Sequence, residues 1–397
     1  MGDNKTMSIT MICNARLPSE KAHPWQVVQM WRAFNQLENG SKLLYPFRFQ
    51  RSAALNGFGR EFWKYYGMDE MGPSSRLPNM DAVHVLDAFP RLVNAYSRLQ
   101  QLSFAAAATL WFLPKSRRAT QVWSREILVL PALRGFYPKL SLFYEMHRFP
   151  GSQVEKQLNW LRGCNGIICL TQLMKDKLLE SGFSDENILV EPDAWSENLY
   201  GHLPSKTEAL KNLGLNNDKK KVLYTGHLYG WKGVDILVQA MKSVEGVECH
   251  IVGGLPEDRT ALMQRHLNWP KNVFLHRHVP PQKIPEWMAI ADLAVVPNSG
   301  ETLLSREYTS PLKLFEILGA GVPLLASDLP SLREVLSEDL ASFAKPDDAD
   351  DWARAIRENL DKPVEAKQKS DAGKQFAANH TWLKRAARIS EFMKGLS

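Results

Sequence analysis

The sequence predicts an α/β protein built from two Rossmann-like halves, and three observations carry that reading. At 397 residues the chain exceeds the roughly 250–300 at which a single hydrophobic core stops growing, so two domains are expected. Short apolar runs alternate with helical periodicities through both halves, the order that builds parallel sheets. The run Tyr308-Thr-Ser-Pro-Leu-Lys-Leu-Phe-Glu-Ile-Leu-Gly-Ala-Gly-Val-Pro-Leu-Leu-Ala-Ser-Asp328 reads as a helix opening followed by a buried strand. In it Ser310 is the expected N-cap and Pro311 the first helical residue, where its missing N–H costs nothing. Leu312, Phe315 and Leu318 recur at helical spacing. Gly319 and Gly321 are expected to stop the helix before a strand at 322–326.

In the N-terminal half, residues 8–14 read as a strand, 16–23 as a loop, and Trp25, Val28, Trp31 and Phe34 mark an amphipathic helix reaching Gly40. A second strand is expected near 43–47. The intervening loop lacks the glycine-rich fingerprint of a dinucleotide site. From 47 to 66, Arg48, Arg51, Arg60 and Lys64 interleave with Phe49, Phe58, Phe62, Trp63, Tyr65 and Tyr66. Residues 99–118 hold an alanine-rich apolar stretch closed by Lys115, Arg117 and Arg118. Together they form either a cationic, aromatic face for anionic lipid and a lipid-linked acceptor, or a core helix with a solvated arginine rim. Residues 140–147 are a strand ending in Tyr144, Glu145 and His147, and ligands of α/β sheets sit beyond such carboxyl ends. Strands at 166–171 and 188–193, with a helix at 172–181 between them, complete the half.

Residues 216–221 are polar and charged, the expected domain boundary, with three lysines read as a solvated linker. A strand at 221–225 leads into Gly226-His-Leu-Tyr-Gly-Trp-Lys-Gly-Val-Asp235 and a helix. Further strands are expected at 249–254, 273–279 and 291–297. The acidic run Asp347-Asp-Ala-Asp-Asp351 contains a D-x-D spacing, but it precedes a helix marked by Trp352, Ile356 and Leu360 and so reads as a cap, not a metal site. A terminal helix follows Thr381. A helix start offers unpaired N–H groups and a positive dipole end, so the turn after Ser310, with Lys313 in it, is a ready anion site. Glu316, one turn on, could accept bonds from a sugar hydroxyl.

These residues resemble the nucleotide-sugar signature of the GT-B glycosyltransferases, specifically the retaining glycosyltransferase group 1 (family 4), in its S-P-L-K-L-F-E branch. The resemblance implies two Rossmann-like domains facing across a cleft: residues 1–205 with the terminal helix 380–397 on the acceptor side, and 218–379 on the donor side. It implies that Glu316 binds the ribose. The first Glu of the family's E-x7-E motif falls at Tyr308, which departs from the pattern. Ser310, Pro311, Leu312, Lys313, Tyr308 and Thr309 become donor-binding candidates, with Gly226 and Lys232 from the family's G-R-L…K-G element. His227 stands where an arginine is common. Val279 and Arg277 fall where the family meets the nucleobase. His147, Lys232 and His227 are the implied catalytic set. Asp193 and Trp195 lie where the family chain turns toward the cleft. Arg16 and His23 are acceptor-side candidates, with structural roles as the alternative.

The composition, 44% hydrophobic and 23% charged, is that of a globular protein. The net charge of +6 fits an anionic partner without choosing one, and no nucleic-acid module is visible. Cys13, Cys164, Cys169 and Cys249 lack metal spacing and read as free thiols of a reducing cytosol. The expected activity is transfer of a hexosyl unit from a UDP- or GDP-linked sugar to a glycan or lipid-linked acceptor in cell-surface polysaccharide or glycolipid synthesis. No metal or cofactor is expected, and the expected location is cytoplasmic, peripheral on the inner membrane face. The alternative is a catalytically degenerate GT-B protein acting as a membrane-associated sugar-nucleotide-binding or scaffold protein, motivated by Tyr308 and His227.

Overall fold

The computed structural model of the chain describes residues 8–37, 41–49, 55, 61–68, 70, 72–81, 92–115, 121–151 and 153–397. Arg51, Phe58, Arg60, Arg117 and Arg118 lie outside the described residues, as does the side chain of Lys115. The chain divides into two units. Unit 1 comprises Met1–Leu170, Met174–Glu191 and Trp382–Ser397; unit 2 comprises Thr171–Leu173 and Pro192–Thr381.

Unit 1 is organised by a wholly parallel seven-stranded sheet: β1 (Ile9–Ile12), β2 (Lys42–Pro46), β3 (Ser74–Leu77), β4 (Gln121–Ser124), β5 (Ser141–Met146), β6 (Gly166–Cys169) and β7 (Ile188–Val190). The order is β3-β2-β1-β4-β5-β6-β7. β1 and β6 are buried along their whole length, which fits their largely apolar sequences (Thr10 is the polar member of β1); a parallel sheet is covered on both faces. The helix Ala22–Leu37 buries Trp25, Trp31 and Phe34. Phe62, Tyr65 and Tyr66 pack there as core aromatics, Tyr66 on Trp25 and Phe62 on Trp31, so these three are not part of a lipid-facing surface.

The terminal helix Trp382–Gly395 belongs to unit 1. Trp382, Arg385, Ala386, Ile389 and Met393 share its buried face, and Arg385 is the one charged member. Its guanidinium donates to Glu145 Oε2 (3.0 Å) and to the Glu191 carbonyl (3.1 Å). Arg388 forks onto the Glu191 carboxylate (2.8 and 2.6 Å).

Unit 2 carries a parallel six-stranded sheet of β8 (Lys220–Thr225), β9 (Val247–Val252), β10 (Val273–His276), β11 (Leu293–Val296), β12 (Leu324–Ser327) and β13 (Ser342–Ala344). Its order is β10-β9-β8-β11-β12-β13. In both sheets the strand order reverses beside the first strand of the unit, between β1 and β4 and between β8 and β11. The carboxyl ends of those pairs are where open α/β sheets place ligands.

Several local expectations are corrected. The helix of the 308–328 run spans Leu312–Ala320 with Pro311 as its cap residue. Ser310 does not cap it, because its hydroxyl accepts the Asp193 backbone N–H (3.1 Å). Gly319 does not end the helix either. It sits inside it and clears space for the Trp195 indole, and Gly321 (φ +69°) makes the stop. The lysines of 216–221 are not all solvated: Lys221, the second residue of β8, is buried and pairs with Glu248 (3.3 Å). The acidic run behaves as a cap. Asp348 accepts the Asp351 N–H (3.1 Å) at the start of the helix Ala349–Asp361, and Asp347 accepts from Gly300 N (2.7 Å).

Gly319→Ala should drive a methyl group into Trp195 and cost about 1–3 kcal/mol, as overpacking does. Gly135→Ala, in the helix Leu130–Phe136 where an added Cβ would meet nothing within 4 Å, should gain up to about 1 kcal/mol. Urea denaturation compares the two directly, and equal midpoints would contradict the packing described.

Candidate functional site

In unit 2 the chain leaves β8 at Thr225 through Gly226 to Lys232, and leaves β11 through Pro297 to Ser310. Gly233 (φ +67°) lets these segments touch: a Cβ there would run into the Pro297 carbonyl, and Ser299 N donates to the Trp231 carbonyl (2.9 Å). Gly226 (φ +137°) is required for a different reason, since a Cβ would strike the Lys313 ammonium. That ammonium donates to the Thr225 carbonyl and lies 4.2 Å from the centre of the Tyr224 ring. Lys313 is therefore held at the carboxyl end of β8 from the first turn of the helix Leu312–Ala320. The first-turn N–H groups of that helix are left outside its own ladder.

Lys232 ends a short 3₁₀ turn with its ammonium over the Trp231 ring (3.8 Å). Burial, and then the Lys313 charge, push Lys232 well below the ordinary lysine range, with Asp193 acting the other way. Burial lowers Lys313 to about 7 against the pull of Glu316. Glu316 is raised by burial to about 7, although the Tyr200 hydroxyl bonds to it and Lys313 lies near; Asp193 adds to the rise. Half-buried Lys232 and Lys313 and buried Glu316 thus interact electrostatically, and burial disfavours the charged form of each. Perturbed groups of this kind cluster where chemistry or binding occurs.

The other donor-side candidates are placed as follows. Thr309, Ser310 and Pro311 are buried, and Leu312 is half-buried. Tyr308 ends the π-helical turn Leu304–Tyr308. The His227 ring stacks on Tyr229 (5.0 Å, 6°), and its carbonyl accepts the Tyr224 hydroxyl (2.5 Å). Val279 packs on the unit's core, whereas Arg277 is exposed after β10. The contacts that join Lys232, Lys313 and Glu316 run through neither. Trp195, seated against Gly319, donates its indole N–H to the Ala377 carbonyl (2.7 Å) and acts as a packing residue.

Unit 1 has its own polar group at the β1/β4/β5 ends. His147 Nε2 lies 2.6 Å from Glu145 Oε1. Burial works to raise Glu145, but the Arg385 guanidinium and the His147 bond hold it far below the usual carboxylate range. An ionised Glu145 can only accept, so His147 carries its proton on Nε2. Burial, followed by the Arg125 charge, lowers His147 to about 4, so it is neutral at pH 7 and its Nδ1 is an acceptor. His23 falls in the first turn of the helix Ala22–Leu37 rather than in a loop, with Nε2 3.4 Å from Cys13 Sγ. Arg16 and Arg48 both approach the buried Asp81 (3.7 and 3.8 Å). Cys13, His23 and Glu126 bring three potential ligand atoms within 4.8 Å of one another. Burial and Glu126 drive the Cys13 thiol up, the Arg125 charge helps lower His23, and Glu126 already accepts the Asn14 N–H (2.8 Å).

Comparison with known proteins follows this geometry. Residues 205–376 match the family model of the glycosyl transferases group 1. That stretch lies within unit 2, which is similar in sequence to the group 1 glycosyl transferases. The putative teichuronic acid biosynthesis glycosyltransferase TuaC of Bacillus subtilis is 27% identical over 192 residues, covering 45% of this chain and 46% of its own. The D-inositol 3-phosphate glycosyltransferase of Thermobispora bispora is 25% identical over 223 residues, 52% of this chain and 50% of its own. The chain spans about half the length, or less, of the curated relatives it matches. Among solved structures, sucrose-phosphate synthase from Thermosynechococcus elongatus aligns with TM-score 0.73 at 18% identity, over 98% of this chain and 99% of its own. Anabaena HepE, solved in complex with UDP and glucose, aligns with TM-score 0.73 at 15% identity, over 98% and 100%. Both likenesses concern the fold.

Sequence reasoning did not identify Tyr200, Thr225 or Arg385. Tyr200 and the Thr225 carbonyl carry no sequence signal. Arg385 does, as a charge on the apolar face of the terminal helix.

Glu145→Gln should cost about 3–5 kcal/mol, because it leaves the Arg385 guanidinium buried without its charge partner. A loss below about 1 kcal/mol in urea denaturation would contradict the buried pair.

Proposed function

We propose that the protein is a glycosyltransferase moving a hexosyl unit from a UDP- or GDP-linked sugar to a glycan or lipid-linked acceptor, with retention of configuration. Cell-surface polysaccharide or glycolipid synthesis at the cytoplasmic side of the membrane is the setting that fits such an acceptor. The observation that carries the reading is the convergence of Lys232, Lys313 and Glu316 at the β8/β11 switch point. The half-buried Lys313 ammonium opposes charge on half-buried Lys232, and a diphosphate would relieve that opposition. The amides of the Leu312 helix start would add donors to the same anion. Structures related in fold support a nucleotide sugar as donor: HepE was solved with UDP-glucose, and an E. coli trehalose-6-phosphate protein with UDP-2-fluoro glucose.

In the proposed reaction the bond from the anomeric carbon to the diphosphate breaks, and the acceptor oxygen bonds to that carbon on the same face. The acceptor proton passes to the departing phosphate. Catalysis is electrostatic: Lys232 and Lys313 stabilise charge that grows on the leaving diphosphate, so no metal need supply it. Glu316 accepts the ribose hydroxyls. Neutral His147, with Nδ1 as an acceptor, is suited to a sugar or acceptor hydroxyl. Tyr308 and His227 leave the scaffold alternative as a definite outcome, namely donor binding without transfer.

Lys232→Ala should lower kcat/KM by about 10²–10³ while the fold is kept, the scale of losing one preorganised charge contact. Glu316→Gln should weaken UDP binding by on the order of tenfold, the loss of a charge-assisted hydrogen bond. A panel of nucleotide sugars assayed for nucleotide release reads both, and full activity in both variants would reject the site. Lys313, near 7 when no anion is bound, should be driven back toward its ammonium form by a diphosphate. UDP binding should therefore take up protons just above pH 7 and weaken as pH rises further. Calorimetry in buffers of different ionisation enthalpy checks this, and buffer-independent heats would contradict it.

A further inference from the structure

The carboxyl ends of β1 and β4 lie side by side at the switch point of the unit 1 sheet, and three side chains of different chemistry converge there. Cys13 is the residue after β1, Glu126 stands two residues beyond β4, and His23 lies in the first turn of the helix Ala22–Leu37. Each offers one ligand atom, a sulfur, a ring nitrogen and a carboxylate oxygen, and these lie within 4.8 Å of one another. Cys13 Sγ and His23 Nε2 are 3.4 Å apart. A tetrahedral zinc ion, with Zn–S about 2.3 Å and Zn–N about 2.0 Å, holds such a pair about 3.5 Å apart. The two atoms already stand at the separation that a shared metal requires.

Hydrogen bonds fix these positions in advance. Cys13, which is fully buried, donates its N–H to the Leu44 carbonyl (3.0 Å), and Glu126 donates its own to the Ser124 hydroxyl (3.0 Å). Glu126 Oε1 accepts the Asn14 N–H (2.8 Å), the kind of outer contact that orients a ligating carboxylate. The donor set selects the ion. A thiolate, an imidazole and one carboxylate suit zinc and its neighbours in the first transition row, whereas magnesium and calcium take shells of oxygen. Thiolate and carboxylate together cancel the charge of a dication. The ligated group is then neutral beside the Arg125 guanidinium, which donates to Gln26 (3.1 Å). Glu126 is remote in sequence from Cys13 and His23, so no short ligand spacing marks the set.

We infer that Cys13, His23 and Glu126 bind a zinc-class divalent cation, with water in the fourth position. The Cys13 S–H bond breaks as the sulfur–metal bond forms, and the proton leaves to solvent. The ion ties the segment between β1 and the helix Ala22–Leu37 to the end of β4. The inference stands apart from the donor chemistry of unit 2.

Titration of the metal-stripped full chain with Co2+ tests it. The wild type should bind one equivalent and develop the near-ultraviolet thiolate-to-cobalt charge-transfer band, which a merely hydrogen-bonded cluster cannot produce. Zn2+ should displace the cobalt and remove the band, and Mg2+ should not. Cys13→Ala should abolish the band, and Glu126→Gln should weaken Co2+ binding by at least about tenfold. Cys164→Ser, at another thiol of unit 1, should leave band and affinity unchanged. Zn2+ should raise the melting temperature of the wild type and not that of Cys13→Ala. UDP affinity should be the same in wild type, Cys13→Ala and Glu126→Gln, which separates failure of this site from failure of the donor site. No band in the wild type, a band that survives Cys13→Ala, or a band lost in Cys164→Ser would overturn the inference. The wild-type titration and the Glu126→Gln variant decide the matter even where Cys13→Ala does not fold.

Discussion

Lys313 is the side chain on which the donor-side reading rests. It reaches from the start of one helix to the carbonyl that ends β8, passes over Tyr224, and occupies space that only a glycine at 226 leaves open. Burying an ammonium there costs desolvation energy, and the carbonyl and ring return only part of it. The Lys313 charge in turn disfavours charge on Lys232, and Glu316 is itself driven toward neutrality. In the proposed function a bound anion offsets that cost.

Unit 1 treats buried charge differently. Arg385, Glu145, His147 and Glu191 satisfy one another, and the Glu145 carboxylate stays ionised because the guanidinium faces it. This network ties the terminal helix to the sheet and simultaneously fixes the tautomer of His147. Stability and the orientation of a candidate functional histidine depend on the same bonds. The network of unit 1 is satisfied within the unit, whereas in unit 2 burial disfavours the charged forms of Lys232, Lys313 and Glu316.

Much of this was legible in the sequence. The strand and helix alternation gave both sheets, since parallel strands buried on both faces read as largely apolar runs, as in β1 and β6. The S-P-L-K-L-F-E stretch located the helix start, Lys313 and Glu316. What escaped depended on long-range packing. Ser310 has the chemistry of a cap, yet Asp193, far away in sequence, claims its hydroxyl. Gly319 has the chemistry of a stop, yet it exists to admit Trp195. Phe62, Tyr65 and Tyr66 looked like a surface because aromatic and basic residues alternate there, and tertiary contacts took the rings inside. Tyr200 and Thr225 act through a lone hydroxyl and a carbonyl, which no local pattern announces.

The central claim is that the Lys232, Lys313 and Glu316 corner holds a nucleotide diphosphate. A crystal structure of the protein grown with UDP tests it most directly. The pyrophosphate should lie within hydrogen-bonding reach of both ammonium groups and of the amides at Leu312 and Lys313, with the ribose on Glu316. UDP bound elsewhere on the chain, with that corner unchanged, would contradict the claim.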